Sequence, residues 1–162
     1  MRIVFLFTFV FALDQVTKQI VRSRMELGKS IQVLGDFFRL TYVENPGIAF
    51  GIRVGNHFIF TILSIFACIM IVAYLISQWK ESLRMKMSLV TILGGAVGNL
   101  IDRILHQRVV DFIDVGIRDM RWPVFNIADS AVVVGMALLV IHVVLEEREK
   151  HSSVSIESRD IA

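Results

Sequence analysis

Phe58-Ile59-Phe60-Thr61-Ile62-Leu63-Ser64-Ile65-Phe66-Ala67-Cys68-Ile69-Met70-Ile71-Val72-Ala73-Tyr74-Leu75-Ile76 carries no charged side chain. It lies within a longer uncharged run, Val54–Trp79, with His57 counted as neutral. At about 1.5 Å of rise per helical residue this stretch crosses a hydrocarbon core of ~30 Å, so it predicts a transmembrane helix. The rest of the chain agrees. Of 162 residues, 55% are hydrophobic and 20% charged, and the mean hydropathy is +0.66. A water-soluble fold of this length has too little interior to hide so many apolar side chains. The same composition excludes a disordered chain. A single cysteine, Cys68, allows no internal disulfide and no cysteine-based metal site. A net charge of +2 makes no case for nucleic acid.

Working outward, Trp122–Leu145 is a second long apolar run, with Asp129 as its only charge. Met87–Ile101 is uncharged but short. It spans only by continuing to about Leu105, which brings Asp102 and Arg103 to the membrane boundary. Ile3–Val21 contains Asp14 and Lys18. Arg2 and the apolar residues to Leu13, with Val10-Phe11-Ala12 as a cleavage-like site, resemble a secretory signal peptide. Against that, the apolar periodicity resumes at Val16, Ile20 and Val21. Asp14 and Lys18 also stand at i and i+4, where a helix pairs them. A retained span is the better reading. The expectation is an all-α membrane protein with transmembrane helices at about 3–21, 56–78, 87–105 and 122–145, both termini on one side. Lysines and arginines occur in the short connection at Lys80–Lys86 and also in 22–55 and 103–121, so charge alone leaves the orientation open.

The connection 22–55 is more than a linker. Ile31–Val43 is rich in β-branched and aromatic residues, Asn45-Pro46-Gly47 reads as a turn, and Ile48–Ile52 as a short returning strand. This predicts a small surface hairpin within about residues 31–53. His106–Trp122 reads as a surface loop folded partly against the bundle. The polar tail 146–162 reads as disordered.

An ionisable residue at the bilayer centre costs at least ~2.5–3.5 kcal/mol, so each one is a functional candidate. Asp14 with Lys18, Asp102 with Arg103, Asp111 and Asp129 qualify. Each has a plainer reading as well. Asp14 and Lys18 make a neutralised pair, and Arg103 snorkels from a helix end. Asp111 lies on a solvated loop, and Asn126 caps the fourth helix with Asp129 at N3 in a variant capping box. Gly94 and Gly98 are spaced for close helix packing, with Asn99 beside them to bond across the contact. The four histidines are scattered, with no His-x-x-x-His pair for zinc. There is no phosphate-binding glycine loop and no histidine near a candidate serine. Elimination leaves carboxylates. Two aspartates sharing an apolar site divide the work of base and acid, which peptide hydrolysis requires. Asp111 and Asp129 flank one loop, but spacing alone does not bring them together. From the residues alone the chain is a multi-span membrane protein with a carboxylate site.

Five motifs extend this. They are Asp14-Gln15-Val16-Thr17-Lys18, Val43-Glu44-Asn45-Pro46-Gly47-Ile48-Ala49-Phe50-Gly51, Gly94-Gly95-Ala96-Val97-Gly98-Asn99-Leu100-Ile101-Asp102-Arg103, Val109-Val110-Asp111-Phe112-Ile113-Asp114 and Phe125-Asn126-Ile127-Ala128-Asp129-Ser130. In this order, over residues 3–145, they resemble lipoprotein signal peptidases, the bacterial intramembrane aspartyl protease family. Pro46 and the short stretch before the first span depart slightly from the family pattern. The resemblance implies Asp111 and Asp129 as the catalytic pair. It implies Asp14, Lys18, Asn45, Gly47, Asn99, Asp102, Arg103, Asn126 and Ala128 as residues that shape the site or hold substrate. It further implies a bacterial inner-membrane enzyme, expected to be a monomer, with cytoplasmic termini and both hairpin and active site toward the outer face. The substrate would be a prolipoprotein cut just before its diacylglyceryl cysteine, met within membrane lipid, with no metal or cofactor. The alternative is a small transporter or proton-coupled channel using the same carboxylates. Placement separates the two: a transport site is expected near the midplane between repeats, and no internal repeat is visible here.

Overall fold

The computed structural model describes residues 1–47, 57–80 and 82–160. In chain order the elements are α1 (Arg2–Arg24), β1 (Ser30–Leu34), β2 (Phe38–Asn45), α2 (His57–Ser77), α3 (Leu83–His106), β3 (Val109–Ile117), β4 (Met120–Arg121) and α4 (Ile127–Asp160). The fold is mostly helical, and its four helices are each long and apolar enough to cross a membrane. Over the most apolar window of α3, 56% of residues are buried, against 11–17% in the other three, so α3 is the helix the others pack around. Glycines make that possible. A side chain at Gly95 would run into the backbone carbonyl of Ala128 on α4, and one at Gly98 would meet Asp14 Oδ2 on α1 at 2.5 Å. The small-residue stripe therefore brings α1 and α4 side by side onto one face of α3, close enough for the Ala128 N–H to bond Asp14.

Burial along α1 divides the bundle into levels. Near the chain start, Ile3, Leu6 and Phe7 pack on a core of Leu75, Met85, Leu89 and Val90. At the other end, Val21 joins Tyr42, Val110 and Phe112 beneath the sheet. Between them the buried residues of α1 are Val10, Asp14 and Lys18, so a polar level lies between two apolar ones.

The strands form one antiparallel sheet in the order β1-β2-β3-β4. A hairpin is present, but its turn lies at Gly35-Asp36-Phe37, with Gly35 at φ +51° and Phe37 N–H bonded to the Leu34 carbonyl at 3.2 Å. Asn45-Pro46-Gly47 instead ends β2. The returning strand expected at Ile48–Ile52 lies outside the described residues. His106–Trp122, expected as a loop, holds the longest strand. β3 pairs with β2 from Asn45↔Val109 to Phe38↔Val115, across a bulge between Leu40 and Val43. Its aspartates do not oppose strand formation because one edge of β3 is covered by β2 and the other meets Phe125 through the Ile113↔Phe125 bridge.

Two helix boundaries differ from expectation. α4 starts at Ile127 rather than Trp122, because Pro123 favours extended backbone before it and Phe125 is used by β3. α3 starts at Leu83 rather than Met87, since the Ser82 hydroxyl accepts the Met85 N–H at 3.2 Å and caps it. The α4 backbone also continues through Asp160, into the tail whose composition predicts disorder. Glu146–Lys150 is a run of strong helix formers that prolongs the apolar helix.

Candidate active site

Five elements, α1, α3, α4, β3 and the end of β2, meet at the polar level. On α1, Lys18 is 1% exposed and holds two carboxylates, Asp14 Oδ2 and Asp102 Oδ2, each at 2.8 Å. Asp14 and Asp102 are likewise almost wholly buried, at 0% and 2%. Asp102 Oδ2 takes no hydrogen bond beyond this ion pair among the described residues. Removing one partner of such a buried pair strands a charge and costs about 3–5 kcal/mol. Asp14 also reaches α4, accepting the Ala128 N–H on Oδ1 at 2.9 Å. That bond uses one of the free donors in the first turn of a helix. Gln15, which sequence reasoning does not single out, donates to Asp14 Oδ2 and to the Gly98 carbonyl, both at 3.1 Å. Its only sequence signal is its position between Asp14 and Lys18.

Asn99 and Asn126 carry the network onward. Lys18 donates its third bond to Asn99 Oδ1 at 2.8 Å, and Asn99 Nδ2 donates to Asp129 Oδ1 at 2.8 Å. Asn126 Nδ2 lies 2.7 Å from Asp111 Oδ1, 3.2 Å from Asn99 Oδ1 and 3.3 Å from the Val110 carbonyl. Asn126 also caps α4 as expected. Its Oδ1 accepts the Asp129 N–H at 2.9 Å, and its own N–H donates to Asp129 Oδ2 at 3.2 Å. The capping box thus contains one member of the candidate pair, Asp129, and its Asn126 touches the other, Asp111. Asp129 stands in the first turn of α4, where the helix favours a negative charge.

β3 presents Asp111 to this cluster. Asn45, at the end of β2, donates to Asp111 Oδ2 at 3.1 Å while its Oδ1 accepts the Gly47 N–H at 2.9 Å. Gly47 has φ +107°, and a Cβ there would overlap the Phe60 ring of α2, so glycine is required on both counts. Burial, and next the charge of Asp129, push the Asp111 carboxyl up to about 7, against the Asn45 and Asn126 bonds. Arg103 lies within electrostatic reach of Asp129, Asp111 and Asp102, and its Nε is buried without a hydrogen-bond partner among the described residues. Every one of the eleven residues singled out from the sequence lies in or against this cluster.

Asp114, three residues beyond Asp111 along β3, does separate work. It accepts from Thr41 Oγ1 and from Arg121 Nε, both at 2.6 Å. Burial opposes its ionisation, but these two donors hold its carboxyl below the usual carboxylate range. It clasps β4 and β2 onto β3. Beside Asp129, a groove of about 390 Å³ is lined by Trp122, Phe125, Ser130, Val133 and Val134. Val133 and Val134 are exposed on the face of α4 that lipid would cover. Among the described residues no cluster of three or more His, Cys, Asp or Glu is arranged to hold a metal ion.

The profile of a family described as signal peptidase (SPase) II matches residues 6–145. The chain is 41% identical over 155 residues to a lipoprotein signal peptidase of Syntrophus aciditrophicus, covering 91% of this chain and 96% of that protein. It is 44% identical over 142 residues to one from Bacillus velezensis, covering 88% and 93%. A solved bacterial membrane enzyme superposes with a TM-score of 0.79 at 35% identity, covering 92% of this chain and 91% of that one. A second solved bacterial membrane enzyme gives 0.79 at 38%, covering 88% and 92%.

Proposed function

The chain belongs to the signal peptidase II family, and from that premise we propose that it is a membrane aspartyl endopeptidase that removes signal peptides from prolipoproteins by cutting before the diacylglyceryl cysteine. The observation that carries the aspartyl mechanism is the pairing across Asn126. One residue touches Asp111 through its side-chain amide at 2.7 Å and Asp129 through its backbone N–H at 3.2 Å.

The two carboxyls take different roles. Asp111, with its carboxyl at about 7, holds the shared proton. Asp129, in the first turn of α4 where the helix end favours a negative charge, takes the role of base. Asp129 takes a proton from water as that water attacks the scissile carbonyl, and Asp111 gives its proton to the carbonyl oxygen. Collapse of the tetrahedral intermediate breaks the C–N bond. The amine leaves with the proton held by Asp129, and the carbonyl proton returns to Asp111. Every proton is accounted for by the pair and one water, and no cofactor enters.

Lipid explains access. Each CH₂ withdrawn from the bilayer costs ~0.8 kcal/mol, so a diacylated substrate must approach sideways. The groove at Asp129 runs along Val133 and Val134, exposed residues of a helix apolar enough to face lipid, and one copy of the chain carries the whole pair. In this reading the termini are cytoplasmic, the sheet and dyad lie toward the outer face, and residues 1–145 form one peptidase domain followed by a cytoplasmic tail. The test is cleavage of a lipidated precursor by the purified protein in detergent. Scission before the modified cysteine is expected. Equal turnover of the same precursor without its lipid would refute the lateral route.

A further inference from the structure

At one end of the sheet, two turns remote from each other in sequence are stitched into one piece. The Gly116 N–H donates to the Phe37 carbonyl at 3.0 Å, the Arg118 N–H to Asp36 Oδ2 at 2.7 Å, and Arg121 Nη1 to the Asp36 carbonyl at 2.9 Å. Arg118 has φ +53°, uncommon outside glycine, and the Asp36 bond holds it there. Charged side chains of this end pair with one another: Asp36 with Arg39, and Asp114 with Arg121 at 2.6 Å. The apolar ones stay open. Met120 is 85% exposed, and Ile117, Trp122, Leu34 and Phe37 are all more than half exposed. An exposed apolar patch on a braced frame marks a contact surface.

What covers it follows from where it lies. Trp122 lines the groove beside Asp129 together with Val133 and Val134. Val133 stands about 9 Å along α4 from its first residue, Ile127, at 1.5 Å of rise per residue. Trp122 also lines a second groove, of about 720 Å³, with Phe37, Ile117 and Met120. The exposed apolar surface of a helix built to span the membrane therefore continues through Trp122 onto the tip of the sheet. We propose that this tip is a membrane anchor, resting in the interfacial layer of the bilayer that α4 enters. Trp122 sits at headgroup level, where tryptophan concentrates, and Ile117, Met120 and Phe37 enter the outer part of the acyl layer. Asp119, exposed in the same turn, limits the depth, because its charge stays in the wet headgroup layer. The proposal needs only that the helices span a membrane, and it stands apart from the aspartyl chemistry. β3, which presents Asp111 to the cluster, is thereby held by lipid at its far end.

The test is spin labelling in vesicles of phosphatidylcholine and phosphatidylglycerol, with thermal unfolding as the folding control. Cys68 is the only cysteine, so Cys68→Ala combined with Met120→Cys or Phe37→Cys gives a single label site. Each label's collisions are counted with oxygen, which dissolves among acyl chains, and with a nickel chelate, which stays in water. Both labels should meet oxygen more often than nickel, at a depth of about 5–10 Å into the headgroup–acyl boundary. Collisions dominated by nickel at either position overturn the proposal. So does protection that arises only when lipidated precursor is added, since the tip would then seat the substrate's chains rather than the bilayer. In a folded Ile117→Asp, Met120→Asp protein, the label at position 37 should move out into water. A label that keeps its preference for oxygen there overturns the assignment of these residues as the anchor.

Discussion

Three glycines on one face of α3 offer a graded test of how the polar level is assembled. A methyl group at Gly98 would sit 2.5 Å from Asp14 Oδ2, and ordinary contact begins at 3.4 Å, so the carboxylate must retreat by about 0.9 Å. That retreat carries its 2.8 Å pair with Lys18 and its 2.9 Å bond from Ala128 out of hydrogen-bond range. Overpacking alone costs about 1–3 kcal/mol, and the weakened buried pair brings the expected loss to about 2–4 kcal/mol. For a chain of this size each kcal/mol is worth roughly 2–4 °C, so Gly98→Ala should unfold roughly 5–15 °C lower. At Gly94 the same methyl meets the Val10 side chain at 3.0 Å, which can shift by a few tenths of an ångström. Gly94→Ala should cost little. At Gly95 the obstacle is the Ala128 backbone carbonyl, which cannot yield without moving α4, so Gly95→Ala should cost most. The assay is thermal unfolding in detergent followed by tryptophan fluorescence, with precursor cleavage on the same samples. Equal melting temperatures across the three variants, or a Gly98→Ala protein indistinguishable from wild type, would refute the close-approach argument.

The remaining predictions concern the dyad and its setting. Asp111→Asn and Asp129→Asn should each remain folded and lose roughly 10²–10⁴-fold or more in kcat/KM, measured by precursor cleavage. Because the Asp111 carboxyl is raised from 3.8 to about 7 in the folded protein, folding favours its protonated form. Its contribution to stability is full below about pH 4 and is lost as pH rises through about 7. Asp111→Asn should therefore flatten the loss of stability between these limits and raise the unfolding free energy at pH 8, by up to about 4 kcal/mol. If Asp111 is also the proton donor, kcat/KM of the wild type should fall above about pH 7, and a rate that climbs steadily to pH 9 would count against that role. Asn45→Ala removes a donor from Asp111 and the bond that fixes Gly47, so it should cut turnover while leaving the melting temperature within a few degrees. A fully active variant would show that Asn45 serves only the turn.

The parts of the fold legible in the sequence are those that depend on local composition. Phe58–Ser77 and the other spans follow from length and apolarity, and the Asn126–Asp129 cap follows from residue type and spacing. The strands were harder. Within Ile31–Val43, expected to run unbroken to Asn45-Pro46-Gly47, the chain already turns at Gly35-Asp36-Phe37, a weaker local signal, and β2 continues to Asn45 because it pairs with β3. That partner lies far along the chain, and pairing at such a distance leaves no periodic mark. The same limit hid β3, whose Asp111 and Asp114 look like loop residues until Asn45, Asn126, Thr41 and Arg121 are in place to satisfy them. Which acids were candidates could be read from the sequence. That they converge through Asn99 and Asn126 depended on Gly95 and Gly98 bringing α1, α3 and α4 together.

The bond from the Ala128 N–H to Asp14 joins the first helix of the chain to the last. While the ribosome is delivering the protein, α1, α2 and α3 reach the bilayer before α4 exists, so Asp14 waits with an unfilled acceptor and Asn99 with an unused donor. If Asp129 is the base proposed above, a nascent chain cannot cut until the fourth helix inserts and brings it to Asn99. Expressed as two fragments divided in the α2–α3 connection, the halves would each hold part of the centre, and activity would report the moment they find each other in the lipid.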